Sequence, residues 1–468
     1  MQLKTLSRKA GLYLIGNFSS KILSALLLPI YAFYIVADDL GYFDLMQTLM
    51  GICIPITFLA IWEAILRFLL GEKDEKSKKV IISTTAFFTI LISGIVCVVF
   101  IILNHFKIIE IKSIELIIGM FLSTSFAQIW QYYARAFGES KVFVWSGILG
   151  TIINFIFVLI FIVVFKTDLT GLFISYILGQ VAIFLIIEFK VRVISTIKIG
   201  YINIHVLWKM LKFSQPLVLN LISTWLIIGF GRLIITMELG TEANGLFSFA
   251  SKFSLIVTMI GSVVTMAIIE EAILAAKTKG LDSSFGRTME VLFKIFQLII
   301  LLAVPAIVIF YKSIENTDYY NSLQYAPWLL LFSVAKTMAS NIGSAFQAIN
   351  KTKYQFTTTI IGAIVTVIFS YSFISSLGIY AVVIGQILGA IIMLLTRYNL
   401  LKKYIDIEIN WKPILWMSVL FIITTIICLN THYIFSCIAF IFILVFACFT
   451  NLRTLKASVK EIKNKLKK

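Results

Sequence analysis

The sequence predicts an all-α integral membrane protein of about fourteen transmembrane helices, arranged as two homologous six-helix lobes plus two C-terminal helices. Three observations predict it. The chain is 60% hydrophobic and 13% charged, with a mean hydropathy of +0.99, a balance that no soluble chain of 468 residues would tolerate. Apolar runs of about twenty residues recur along the whole length, each able to cross a hydrocarbon core of about 30 Å. Lys and Arg alternate between successive loops, so that helix count and sidedness support each other.

In order, the runs are 12–35, 43–66, 80–103, 114–136, 142–165, 170–189, 214–236, 245–269, 291–311, 325–348, 355–375, 378–398, 413–430 and 433–451. The first follows the basic start Met1–Gly11, which has no small-residue cleavage site, so it reads as a retained helix and not a signal peptide. It carries Asn17 and Lys21, one turn apart and on one face. The second carries Glu63 and Arg67, also four apart, near its cytoplasmic end. The fourth holds Gln128, Gln131 and Arg135; the seventh holds Asn220 and Arg232. The eighth has Lys252, then Glu270 and Glu271, which read as its end at the cytoplasmic interface; the tenth has Lys336, Asn341 and Gln347.

With the N-terminus taken as cytoplasmic, the even-numbered connections hold Lys73, Lys76, Lys78 and Lys79, then Lys141, then Lys190, Arg192, Lys198, Lys209 and Lys212. Later ones hold Lys277, Lys279 and Arg287, Lys351 and Lys353, and Arg397, Lys402, Lys403 and Lys412. The opposite face has only Lys107, Lys112, Lys166 and Lys312, among acids such as Asp38, Asp39, Glu242, Glu315 and Asp318. Both termini are therefore expected in the cytoplasm. This topology accounts for most of the formal charge of +17. A nucleic-acid groove is excluded, because no folded domain carries a basic stripe. The tail 453–468 is basic, and Lys456–Lys463 within it reads as a short interfacial helix. The five cysteines and three histidines form no ligand cluster, so no metal or cofactor is expected.

The loops are too short for an extramembrane domain. The chain repeats itself at an offset of just over two hundred residues. Lys9 with Asn17 matches Lys212 with Asn220, and Gly41-Tyr42-Phe43 matches Gly245-Leu246-Phe247. Lys141, Gly150 and Asn154 match Lys353, Gly362 and Thr366; Gly171-Leu172-Phe173 matches Gly378-Ile379-Tyr380. The expected lobes are 1–205 and 206–405, followed by helices at 406–452 and the tail 453–468. An even helix number per lobe gives both the same orientation, as in parallel-repeat transporters.

A charge at a bilayer centre costs roughly 2.5–3.5 kcal/mol on the insertion scale. Lys21, Lys252 and Lys336 lie too deep to snorkel and point to a wet cavity prepared for an anion. Arg232 reads equally as a cavity cation or a snorkelling one. Glu63 and Arg67 read as a self-satisfied pair, and Arg135 as interfacial; all three are candidates for gating or ion pairing. Asn17 and Asn220 are candidate polar contacts to a ligand. Excess positive charge in a lumen suits a phosphate-bearing ligand, with Lys as a point charge and Arg as a forked donor.

The run Gly16-Asn17-Phe18, Lys21, Leu26-Leu27-Leu28-Pro29-Ile30-Tyr31 resembles the opening of bacterial polysaccharide (O-antigen) repeat-unit flippases. So do Leu40-Gly41-Tyr42-Phe43-Asp44-Leu45, Pro55-Ile56-Thr57 and Glu63-Ala64-Ile65-Leu66-Arg67-Phe68. Similar positions continue through Lys212-Phe213-Ser214-Gln215-Pro216-Leu217 and Gly245-Leu246-Phe247-Ser248-Phe249-Ala250-Ser251-Lys252. These flippases belong to the MATE-like multidrug/oligosaccharidyl-lipid/polysaccharide exporter superfamily. The resemblance implies a V-shaped transporter with a basic cavity in the bacterial plasma membrane. It would move a polyprenyl-diphosphate-linked oligosaccharide outward by alternating access, without covalent chemistry, for capsule or O-antigen assembly. Membrane lipids and other polysaccharide assembly proteins are the further partners it implies. Coupling to H+ or Na+ stays open, because acids are scarce in the runs. Family members often have Asp-Arg where this chain has Gly231-Arg232, so Arg232 is expected to be a freer cation. Alternatives are a small-molecule exporter, a carrier of lipid-linked peptidoglycan precursor, and an integral-membrane glycan polymerase or ligase. The short outward loops argue against the enzyme.

Overall fold

In hydrocarbon every backbone N–H and C=O must be satisfied within its own segment, which selects helices for a chain this apolar. The computed structural model describes residues 22–445 apart from 24, 108–111, 279–282, 350 and 406, and all its regular structure there is helical. In chain order the helices are α1 (Ala25–Tyr34), α2 (Ala37–Thr57), α3 (Ile61–Leu69), α4 (Glu75–His105), α5 (Ile114–Ala136) and α6 (Ser140–Val158), which continues as a π-helical stretch, Leu159–Val164. Next come α7 (Asp168–Val191), the single turn α8 (Val193–Thr196), α9 (Ile204–Ile228), α10 (Phe230–Leu239), α11 (Thr241–Thr278) and α12 (Ser283–Lys312). The last are α13 (Ala326–Ala348), α14 (Thr352–Leu377), α15 (Ile379–Leu401), α16 (Trp411–Asn430) and α17 (Tyr433–Val445). Among the described residues, ten helices are long and apolar enough to cross a membrane.

Two expected helices are each broken in two. The run 43–66 becomes α2 and α3, because Pro55 leaves the last turn of α2 without one of its hydrogen bonds. Leu59 and Ala60 then turn the chain at φ of 46° and 50°. For residues with a Cβ that conformation costs roughly 1–2 kcal/mol each, and the burial of Phe58, Ala60 and Ile61 holds it. The run 214–236 starts earlier, at α9, where the Asn203 side chain caps the free N–H groups of His205 and Val206. It breaks at Gly229, against which the Trp225 indole packs so closely that a Cβ would sit 2.5 Å from the ring. The Trp225 Nε1 donates to the Thr48 carbonyl of α2 at 2.8 Å, which fixes the ring there.

Two further expectations are corrected. The eighth helix does not end at Glu270 and Glu271; α11 runs on to Thr278. Arg397, read as a loop cation, is a residue of α15 and is 3% exposed.

The chain divides into two compact units, Met1–Ser248 with Thr359–Gly389, and Phe249–Thr358 with Ala390–Lys468. In the first, α6 packs on α7 through Gly150 and Gly179; a Cβ on Gly179 would lie 2.9 Å from both the Gly150 carbonyl and the Asn154 Cβ. The same crossing recurs between α14 and α15, where a Cβ on Gly389 would lie 2.6 Å from the Gly362 carbonyl and collide with the Thr366 hydroxyl. Gly150 with Asn154 and Gly362 with Thr366 are the positions that the repeat aligns.

A second crossing joins the starts of α2 and α11. A Cβ on Gly41 would penetrate the Thr241 carbonyl, and one on Gly245 would penetrate the Ala37 carbonyl. Each glycine thus receives the residue four positions before the other. Asn244 Nδ2 donates to the Gly41 carbonyl at 2.7 Å, and the Thr241 hydroxyl donates to Asp38.

In the second unit α13 is the enclosed helix. Of its apolar window 83% is buried, against 22% for α4. Its small and polar residues, Ser333, Thr337, Asn341 and Ser344, are all buried.

Candidate functional site

In the first unit one intramembrane cation is held in an ion pair. Arg232, in the first turns of α10, donates from Nε to Asp44 Oδ2 of α2 at 2.5 Å. The two side chains are 15% and 10% exposed. The guanidinium also donates from Nη1 to the Ile228 carbonyl at 3.0 Å and lies 5.5 Å from the centre of the Phe247 ring. The break after α9 is what frees that carbonyl; the neighbouring one, of Ile227, accepts from Gln386 Nε2 at 3.2 Å. Arg232 is therefore not the freer cation expected. The acid missing beside it in sequence arrives from a helix 188 residues away.

Glu63 and Arg67 form no ion pair among the described residues. Glu63 accepts instead from the Tyr132 hydroxyl of α5 at 2.6 Å, and Arg67 is exposed in the last turn of α3. Arg135 lies 4.8 Å from the Tyr132 ring centre and 5.6 Å from that of Phe143. So Glu63, Tyr132 and Arg135 are brought together, and Arg67 is not. Asn220 is exposed on α9. Asn17 and Lys21 lie outside the described residues.

Lys252 on α11 and Lys336 on α13 both belong to the second unit and are partly buried. Gly261 packs on Thr337, and the Thr265 hydroxyl donates to Asn341 Oδ1, a pair 76 positions apart. Both contacts share that offset, so α11 and α13 run parallel and in register. The register puts Lys252 and Lys336 at different depths, about 12 Å apart along the helix direction. Lys252 is about two and a half turns before Gly261 and so stands on the side of α11 away from α13. Lys336 is turned about 100° from Thr337, and its ammonium is 5.9 Å from the Phe332 ring centre. The two lysines thus stand at two levels, and Lys252 faces away from the hydroxyls and amide that join α11 to α13. Two ammonium groups of this kind suit phosphate oxygens.

Three polar contacts escaped the sequence reading. Asp44, at the start of the second apolar run, enters the sequence reading only within a family-like motif. Tyr132 is one of many aromatics. Arg397 stands near a helix end, yet its Nε donates to Thr358 Oγ1 at 2.9 Å, Nη1 to the Ala339 carbonyl at 2.7 Å and Nη2 to the Gln355 carbonyl at 3.2 Å. The absence of neighbouring acids is no guide to such a site, because carbonyls do the accepting. No group of three or more His, Cys, Asp or Glu could hold a metal ion among the described residues.

Comparison with known proteins matches residues 6–269 to a family described as polysaccharide biosynthesis protein. Among solved structures, a lipid II flippase MurJ in an inward closed conformation is 16% identical with a TM-score of 0.72, covering 95% of this chain and 99% of its own. A multidrug resistance MATE family transporter of the MOP superfamily, in an inward-facing conformation, is 17% identical with a TM-score of 0.57, covering 86% and 96%. An outward-facing conformation of such a transporter is 16% identical with a TM-score of 0.56, covering 90% and 96%. At these identities the likeness is one of fold, MurJ/MATE-like over nearly the whole chain. No curated protein matches the sequence.

Proposed function

This chain belongs to the polysaccharide biosynthesis protein family, and from that premise we propose that it is a flippase for a polyprenyl-diphosphate-linked oligosaccharide repeat unit. The cargo would pass from the cytoplasmic to the outer leaflet of a bacterial plasma membrane. The family match over residues 6–269 carries this reading. The partly buried Lys252 and Lys336 support it, since a purely structural span would not keep them. They would take the diphosphate in turn at their two levels, while the lipid tail stays in the bilayer. Lys21, with the neutral amide of Asn17 four positions before it in the first expected run, would add a third cation. Arg232, neutralised by Asp44, has an organising role here and not a phosphate-binding one.

Transport needs no covalent step. Cargo contacts that differ between inward- and outward-open states suffice to shift the equilibrium between them. The lobes 1–205 and 206–405 would alternate access, with both termini cytoplasmic. A lipid-linked peptidoglycan precursor is the second reading, favoured by the fold match to a protein described as a lipid II flippase.

The test is reconstitution in vesicles with labelled lipid-diphosphate glycan confined to one leaflet. Transfer without elongation is expected; elongation without transfer would establish a polymerase instead. Lys252→Ala and Lys336→Ala should each slow transfer about tenfold, the equivalent of one lost hydrogen bond to a charged group. Unchanged transfer in the double variant would return both lysines to structural roles. Transfer of a peptidoglycan precursor but of no repeat unit would select the second reading.

A further inference from the structure

The connection between α7 and α9 is built unlike a simple loop. Glu188 accepts the Ile194 amide at 3.0 Å and the Trp130 indole N–H at 2.8 Å. The Lys198 amide donates to Ser83 Oγ at 2.9 Å, and the Asn203 amide to Thr84 Oγ1 at 3.0 Å. Both hydroxyls are fully buried on α4, and Val193 of the connection is fully buried as well. The backbone is thus pinned as a strap along one end of the first unit. Met210 is buried too and Ile197 and Ile202 are half-buried, but several large apolar side chains of the strap point outward. Ile199 is 85% and Trp208 68% exposed, with Ile194 and Ile204 also exposed.

The same stretch is uniformly basic. Lys190, Arg192, Lys198, Lys209 and Lys212 are all exposed, and no Asp or Glu occurs between Glu188 and Glu238. Arg192 closes α7 at φ 56°, a left-handed position that favours glycine. A cation is retained there against the local preference.

We propose that this strap, residues 189–212, docks on the membrane–water interface and binds anionic phospholipid headgroups. Its two ends enter α7 and α9, of 24 and 25 residues, both long enough to span, so the strap lies where the hydrocarbon ends. There its isoleucines and Trp208 enter the acyl boundary while the cations meet phosphates, the division of labour of interfacial segments. Positive loop charge alone sets orientation and needs neither outward isoleucines nor a pinned backbone. The inference is independent of the cargo and stands whether or not the protein is a flippase.

The test uses the full-length protein in vesicles of phosphatidylcholine and phosphatidylglycerol, with one lipid or the other brominated at equal mole fraction. The Trp208 contribution to fluorescence is the difference between the unmodified protein and Trp208→Phe. Brominated phosphatidylglycerol should quench it roughly twofold more than brominated phosphatidylcholine, the preference fading at high salt as the charges are screened. The triple variant Lys198→Gln, Lys209→Gln, Lys212→Gln should quench equally with both. Equal quenching in the unmodified protein at low salt would overturn headgroup binding. No quenching by either lipid would overturn membrane docking and leave the strap to an acidic protein partner. The salt series needs no variant, so a folding defect in the triple variant leaves the proposal testable.

Discussion

Arg232 and Asp44 neutralise each other from helices distant in sequence, and both side chains are largely withdrawn from solvent. Removing one partner of such a pair strands the other, at about 3–5 kcal/mol, whereas removing both is far milder. Asp44→Asn and Arg232→Gln should each lower the thermal unfolding temperature in detergent, and the double variant should recover much of the loss. Additive losses would mean that the pair is not the stabilising unit. At this scale the sequence was only half readable. It marked Arg232 and Glu63 as unusual, because an ionisable group in an apolar run stands out. It left Arg232 without an acid and gave Glu63 the wrong partner, because adjacency in sequence was the only contact it offered. Glu63 meets Tyr132, 69 positions away, and not Arg67. For Lys252 and Lys336 the sequence offered a position along each run, but not the register between α11 and α13 that separates their levels.

Helices were the most legible elements, and their interruptions the least. The expected run 114–136 coincides with α5, since its apolar stretch and its helix end together. The breaks at Leu59–Ala60 and Gly229 leave no trace in hydropathy, because the apolar run continues through them. Close crossings are visible only as glycines, and not every glycine marks one. Gly41 and Gly245 abut carbonyls of the opposite helix, whereas Gly94 of α4 has nothing within 4 Å of its Cβ position. Gly41→Ala or Gly245→Ala should push backbone against backbone and lower stability by at least about 1–3 kcal/mol, as overpacked sites do. Gly94→Ala should be neutral or raise stability by up to about 1 kcal/mol through helix propensity. Thermal unfolding of the three variants side by side checks this, and a tolerant Gly41→Ala would refute the close approach.

The alternation of Lys and Arg between loops makes a claim about the whole molecule that sealed vesicles can check. In a background without native cysteines, single cysteines at Lys76 and Lys403 should react with an impermeant thiol reagent from one side, and one at Asp318 from the other. Labelling of all three from the same side would break the topology and with it the direction of transport. The crossing of α2 on α11 has a consequence of another kind. Each glycine there receives the residue four before its counterpart, so the contact maps onto itself when the two repeats are exchanged. A self-complementary patch of that sort is what two identical subunits share about a twofold axis. Gly41 and Gly245 are therefore equivalent in what they exclude, and neither can gain a side chain without displacing a carbonyl of the other helix.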